Sequence, residues 1–94
     1  MSSLTSGQIA LQLESLTGWQ IIDKRLVRVF EFDTFADAIA FITRAAFVCV
    51  ELEHYPIWEN HYNQLIVKIG DPSRDDVHGR DVQLAKRIQA LFES

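Results

Sequence analysis

Between Thr34 and Pro56 this chain has room for one long helix, and that helix is apolar on more sides than a sheet can cover. Thr34-Phe35-Ala36-Asp37 sets a hydroxyl before the first turn and a carboxylate within it, the pattern that satisfies free N–H groups at a helix start. Pro56 fixes the other end, because Tyr55, as the residue before a proline, is steered into an extended conformation. The spacing predicts a helix over 35–53. Asp37, Arg44 and Glu51 recur at heptad spacing and so share one narrow stripe. Phe35, Ile39, Ile42, Ala46 and Cys49 run along one side, Phe41, Phe47 and Val48 along another. A helix that only covers a sheet needs one apolar face. A chain of 94 residues has little left to cover a second. A helix-to-helix contact between copies, in a homodimer or homotetramer, is therefore expected.

Thr5-Ser6-Gly7-Gln8 has capping-box spacing and opens a first helix over 6–15, ended near Gly18. Trp19 to Ile22 and Leu26 to Phe32 read as strands around an Asp23-Lys24 turn. On the second strand Leu26, Arg28, Phe30 and Phe32 share one face, and Val27, Val29 and Glu31 the other. Both faces are partly apolar, which predicts cover on both sides of the sheet somewhere. After Pro56, Trp58 to Asn60 and Leu65 to Ile69 form a second hairpin around Tyr62-Asn63-Gln64. Gly70-Asp71-Pro72-Ser73 is a turn, and a last helix over 79–93 buries Leu84, Ala85, Ile88, Leu91 and Phe92. The order helix-strand-strand-helix-strand-strand-helix predicts an α+β fold. Its sheet is four-stranded and antiparallel, with helices on one face, in a single domain spanning 1–94.

Composition excludes several classes of function. The net charge of −4 and the scattered basic residues argue against nucleic acid as a partner. No run approaches the ~18 apolar residues of a membrane span. The first residues, Met1 to Thr5, lack the basic head and apolar stretch of a signal peptide, so a cytoplasmic location is expected. Cys49 is the single cysteine, set in an apolar helical run, and reads as a buried inert thiol.

The residues that bear on chemistry follow the long helix. His54-Tyr55-Pro56-Ile57-Trp58-Glu59-Asn60-His61-Tyr62-Asn63 resembles the signature of the pterin-4a-carbinolamine dehydratases. There a carboxylate is followed after three residues by His-His-Pro, then Trp, Asn and Tyr-Asn; a third histidine follows the next strand, and an Asp lies farther on. His54, Pro56, Trp58, Asn60, Tyr62, Asn63 and Asp81 stand where that pattern wants them. Val50 takes the carboxylate position, Tyr55 the second histidine and Pro72 the third. The likeness extends to Leu26-Val27-Arg28, Phe30-x-Phe32 and Thr43-Arg44, so it covers nearly the whole chain. It implies the α+β architecture already read from the element order.

The resemblance implies a reaction that these substitutions impair. The family dehydrates a 4a-hydroxytetrahydropterin without metal or organic cofactor. One proton reaches the leaving hydroxyl and another leaves a ring nitrogen, steps suited to histidine. His54 can serve as one acid or base. Tyr55, a phenol with pKa near ~10, is a poor second; Pro72 has no side-chain proton, and Val50 cannot make a carboxylate's contacts. His78 stands where the family caps the last helix, and His61 alternates out of phase with Trp58 and Asn60. The spacing of the three histidines matches no usual zinc site. Trp58, Asn60, Tyr62 and Asp81 have structural explanations too: aromatic core, hairpin geometry and helix-end electrostatics.

The pattern is similar to that of dehydratase-like proteins from autotrophic bacteria that lack the active-site histidines. That branch is associated with α-carboxysomes and acts in Rubisco assembly. The resemblance implies a non-catalytic partner of Rubisco subunits, cytoplasmic or carboxysome-associated, with the acidic loop Asp71, Asp75 and Asp76 as a candidate contact. The alternatives are a hydro-lyase with a reduced site and an adaptor for another protein. Pterin binding without turnover is compatible with the non-catalytic readings, since stacking needs none of the lost groups.

Overall fold

The computed structural model describes residues 5–71, 73 and 77–94. Thr5 caps α1 (Ser6–Leu13), its hydroxyl accepting the Gln8 N–H while the Gln8 side chain accepts the Thr5 N–H. The helix stops short of residue 15. The Ser15 N–H donates to the Gln12 carbonyl and the Leu16 N–H to that of Leu13, a tightened turn that drops Leu16 and Trp19 into the core.

The first hairpin is β1 (Gln20–Ile22) and β2 (Arg25–Glu31), one residue earlier on β2 than its apolar pattern indicates. Asp23 and Lys24 turn the chain with φ of 52° and 62°, the pair of left-handed residues that a two-residue hairpin demands. The Thr34 hydroxyl accepts the Asp37 N–H to start α2 (Phe35–Leu52). The second hairpin joins β3 (Ile57–His61) and β4 (Gln64–Ile69) and leads to α3 (Gly79–Glu93). Its loop is Tyr62-Asn63 alone, because His61 pairs with Gln64 in the ladder. Tyr62 has φ of 54°, so the tight turn forms without a glycine.

All strand pairs are antiparallel, in the order β1-β2-β4-β3. Leu26, Phe30, Leu65, Val67 and Ile69 are buried on the face that meets the helices. From the helices come Phe41, Ala45 and Cys49 of α2, Leu84, Ala85 and Ile88 of α3, and partly buried Ile9 and Leu13 of α1. Burying such a side chain fully contributes roughly 1.5–3 kcal/mol. Phe30 is the centre, with ring centroids 4.8 Å from Phe92, 5.4 Å from Phe41 and 6.0 Å from Trp19. On the opposite face Val29 is 52% exposed and Ile57 44%, so among the described residues of one chain the expected cover on both sides is absent.

The expected grouping of apolar residues on α2 needs correction. Its buried side is Ala38, Phe41, Ala45 and Cys49, with Ile42, Val48 and Leu52 packed alongside. Phe35 and Ile39, grouped above with Ile42 and Cys49, point to solvent with Phe47 and Val50. α2 packs against α3 as well as against β4 of the sheet, so its buried side is set by both neighbours. Burial pushes the Cys49 thiol above its ordinary value, consistent with an inert core residue.

Arg28 ties three segments together. Its guanidinium donates to the Thr17 carbonyl and to Gln89 Oε1 and lies 4.4 Å from the Phe30 ring centroid. Burial pulls the group down from its ordinary value, and the charge of Glu93 opposes that. Gly18, at φ of 90°, lets the chain pass this close: a Cβ there stands 3.0 Å from Arg28 Nε. Gly18→Ala is expected to cost about 1–2 kcal/mol through strain and displacement of Arg28, read as a lower urea midpoint at unchanged m-value.

Candidate functional site

The site is a joint between the end of α2 and the start of α3. α2 ends in a left-handed residue, Glu53, at φ 50° and ψ 44°. The His54 N–H donates back to the Cys49 carbonyl and the Glu53 N–H to that of Val50, the paired bonds of a Schellman turn. This turn throws the His54 side chain across to α3, while Pro56 carries the backbone on into β3.

Asp81 receives it. Its carboxylate is 1% exposed, and His54 Nε2 lies 2.6 Å from Oδ1. The other oxygen, Oδ2, accepts the His78 N–H at 2.8 Å, so Asp81 also satisfies the open end of its own helix. His78 stands at the N-cap position expected for it. Next to Asp81, Arg80 donates to the Glu53 carbonyl at 2.7 Å and to that of Leu52 at 3.3 Å. Two consecutive residues of α3 therefore satisfy the last turn of α2 and the histidine that follows it. Among the described residues no group of three or more His, Cys, Asp or Glu is placed to hold a metal ion.

The hairpin residues of the motif build the hairpin. Asn63 donates from Nδ2 to the Phe32 carbonyl, and the Asn63 carbonyl accepts the Phe32 N–H, each at 2.9 Å. Asn60 donates to the Tyr62 carbonyl across the turn, while its buried Oδ1 has no partner among the described residues. Trp58 is half-buried on the helix-facing side, opposite Val67 in the ladder. Tyr62, 68% exposed, stacks on Phe35 with centroids 6.5 Å apart.

His61 is on the other face of the sheet, beside Glu59 at 3.2 Å. That hydrogen bond, with the nearby Lys68 charge, holds the Glu59 carboxyl below its usual range. The two departures that can be located both face solvent: Val50 is 62% exposed and Tyr55 65%. Asp71 is exposed and accepts from the Ser73 N–H and hydroxyl in a local turn. Pro72, Asp75 and Asp76 lie outside the described residues. Arg80 was missed in the sequence, where nothing separates it from a surface arginine.

Comparison with known proteins gives one family. The profile described as pterin 4 alpha carbinolamine dehydratase matches residues 2–91. A Prochlorococcus marinus protein (strain MIT 9515) described provisionally as a pterin-4-alpha-carbinolamine dehydratase is 33% identical over 86% of this chain and 84% of its own length. A Brucella ovis protein with the same provisional description is 33% identical over 94% of this chain and 93% of its own. The crystal structure of a transcriptional coactivator/pterin dehydratase from Brucella melitensis superimposes with a TM-score of 0.87 at 32% identity, covering 96% of this chain and 98% of that one.

Proposed function

The chain belongs to the pterin-4a-carbinolamine dehydratase family, and from that premise we propose that it is a non-catalytic member that binds a protein partner, with Rubisco subunits as that partner. One contrast carries the proposal. The retained motif residues His54, Asp81, Asn60 and Asn63 each hold elements of the fold together. The departures Val50 and Tyr55 face solvent, where a carboxylate and an imidazole serve a substrate rather than the fold. Pro72 removes a third acid–base group. Loss confined to the reacting positions, on an intact scaffold, is what a change from turnover to binding leaves behind.

In this proposal the solvent side of α2, with Phe35, Ile39 and Phe47, joins copies into a dimer or tetramer. The acidic residues Asp71, Asp75 and Asp76 then serve as the contact to the Rubisco subunits, in the cytoplasm or in association with carboxysomes. No helix among the described residues is long and apolar enough to cross a membrane.

A second reading, a dehydratase with a reduced site, draws on the His54–Asp81 bond. A carboxylate that orients a histidine is an arrangement suited to general acid–base work. One assay separates the two. With 4a-hydroxytetrahydropterin generated in situ, the purified protein is expected to leave the dehydration rate at its uncatalysed value, even at high concentration. Co-expression with Rubisco large and small subunits is expected to raise the yield of assembled Rubisco. Clear acceleration of dehydration returns the chain to the enzymes.

A further inference from the structure

The solvent face of the sheet carries a pattern that is its own complement. The residues of central strand β2 that point away from the helices are, in order, Arg25, Val27, Val29 and Glu31. They read cation, apolar, apolar, anion. The neighbouring strands repeat the gradient in register: Lys68 on β4 lies in the row of Val27, and Glu59 on β3 in the row of Val29. Lys68 and Glu59 are 3.5 Å apart within the chain, which leaves Arg25 and Glu31 as the outer poles. Between those poles, Val29 and Ile57 are about half exposed and Ile66 is partly so.

We propose that this face docks a second copy of the chain, sheet against sheet, with β2 antiparallel to the β2 of the partner. Reversing a strand that reads cation, apolar, apolar, anion puts Arg25 over the partner's Glu31 and Val27 over the partner's Val29. The same contacts then recur on the other side of a two-fold axis, as an interface between identical surfaces requires. Packed sheets stand ~10 Å apart, near enough for facing valines to touch. A foreign protein has no reason to carry the mirror of this order; a second copy carries it by construction. The four strands present roughly 400 Å², about half of the ~800 Å² per partner in a stable complex. The contact is therefore weak and concentration-dependent, and distinct from the one assigned to α2.

Sedimentation velocity over a concentration series tests this, in chains that also carry Phe47→Glu so that α2 does not contribute. These chains are expected to associate as concentration rises. Val29→Lys is expected to abolish the association. Arg25→Glu and Glu31→Arg are each expected to weaken it about tenfold, since each turns two attractions into repulsions. The double exchange R25E/E31R restores it, and so does an equimolar mixture of the two single variants, whose poles complement each other. Arg25 Nε also donates to the Gly70 carbonyl at 3.3 Å, and Glu31 Oε1 accepts from Gln64 Nε2 at 3.2 Å, so each variant's thermal midpoint is measured as a check on folding. Rescue by mixing is not an effect that loss of folding can produce. Association that these variants leave unchanged, its absence at every concentration, or failure of the mixture to restore it overturns the proposal.

Discussion

Returning the three missing groups in one chain, by Val50→Glu, Tyr55→His and Pro72→His, is expected to accelerate dehydration of 4a-hydroxytetrahydropterin by ~10²-fold or more over the parent protein. Each positioned acid or base typically contributes ~10²–10⁴ in rate, and three are missing. What survives is what they would work with: His54, held 2.6 Å from a buried carboxylate, on a scaffold that superimposes on a pterin dehydratase with a TM-score of 0.87. Val50 and Tyr55 are 62% and 65% exposed, so a charged or imidazole side chain is accepted there at a stability cost within ~0.5 kcal/mol. Tyr55→His alone is expected to give a smaller gain, because water loss needs one group to deliver a proton and another to take one. The measurement is the rate of quinonoid product formation, with the parent and the uncatalysed reaction side by side. A folded triple variant no faster than its parent would overturn the proposal that Val50, Tyr55 and Pro72 mark lost acid–base groups.

Asp81→Ala is expected to destabilise the protein by about 3 kcal/mol, a large share of the ~5–15 kcal/mol that holds a small domain together. The carboxylate is 1% exposed and is bonded to both His54 Nε2 and the His78 N–H. Removing it strands two polar groups, one of them at the opening turn of α3. Asp81→Asn keeps the shape but has one oxygen where there were two, so about half that loss is expected. His54→Ala removes one of the same bonds, and its effect combined with Asp81→Ala should fall well short of the sum. Urea unfolding gives the free energies. In a domain of this size the Ala variant should melt about 10–20 °C lower. A loss under about 1 kcal/mol would mean that the joint between α2 and α3 does not depend on this carboxylate.

Much of the fold was legible because local signals agreed. Hydroxyl caps at Thr5 and Thr34, Pro56 after the long helix, and strands of the right length fixed the element order and the antiparallel sheet. The errors fell where two local patterns compete. At Tyr62 the tight turn is set by strand register and by the Asn63–Phe32 bonds, so a non-glycine residue takes φ of 54° with no signal in the sequence. On α2 the spacing identified two apolar arcs, but the buried side draws on both, Ile42 and Cys49 from one and Phe41 and Val48 from the other, because α3 packs on it as well as the sheet. The site was half visible. His54 and Asp81 were singled out by motif, yet their contact spans 27 residues of chain and follows only from the fold. Arg80 shows the limit: its role depends on where the carbonyls of Leu52 and Glu53 end up.

The His54–Asp81 contact has an implication for how such chains are sorted. Positions that brace the architecture outlast a chemistry they once also served, because giving them up endangers the protein itself. Matches at such positions measure kinship, and a tally of them ranks a silent descendant beside its working cousins. Only sites with no second duty are free to record whether turnover is under selection, and among the described residues the exposed Val50 and Tyr55 are positions of that kind.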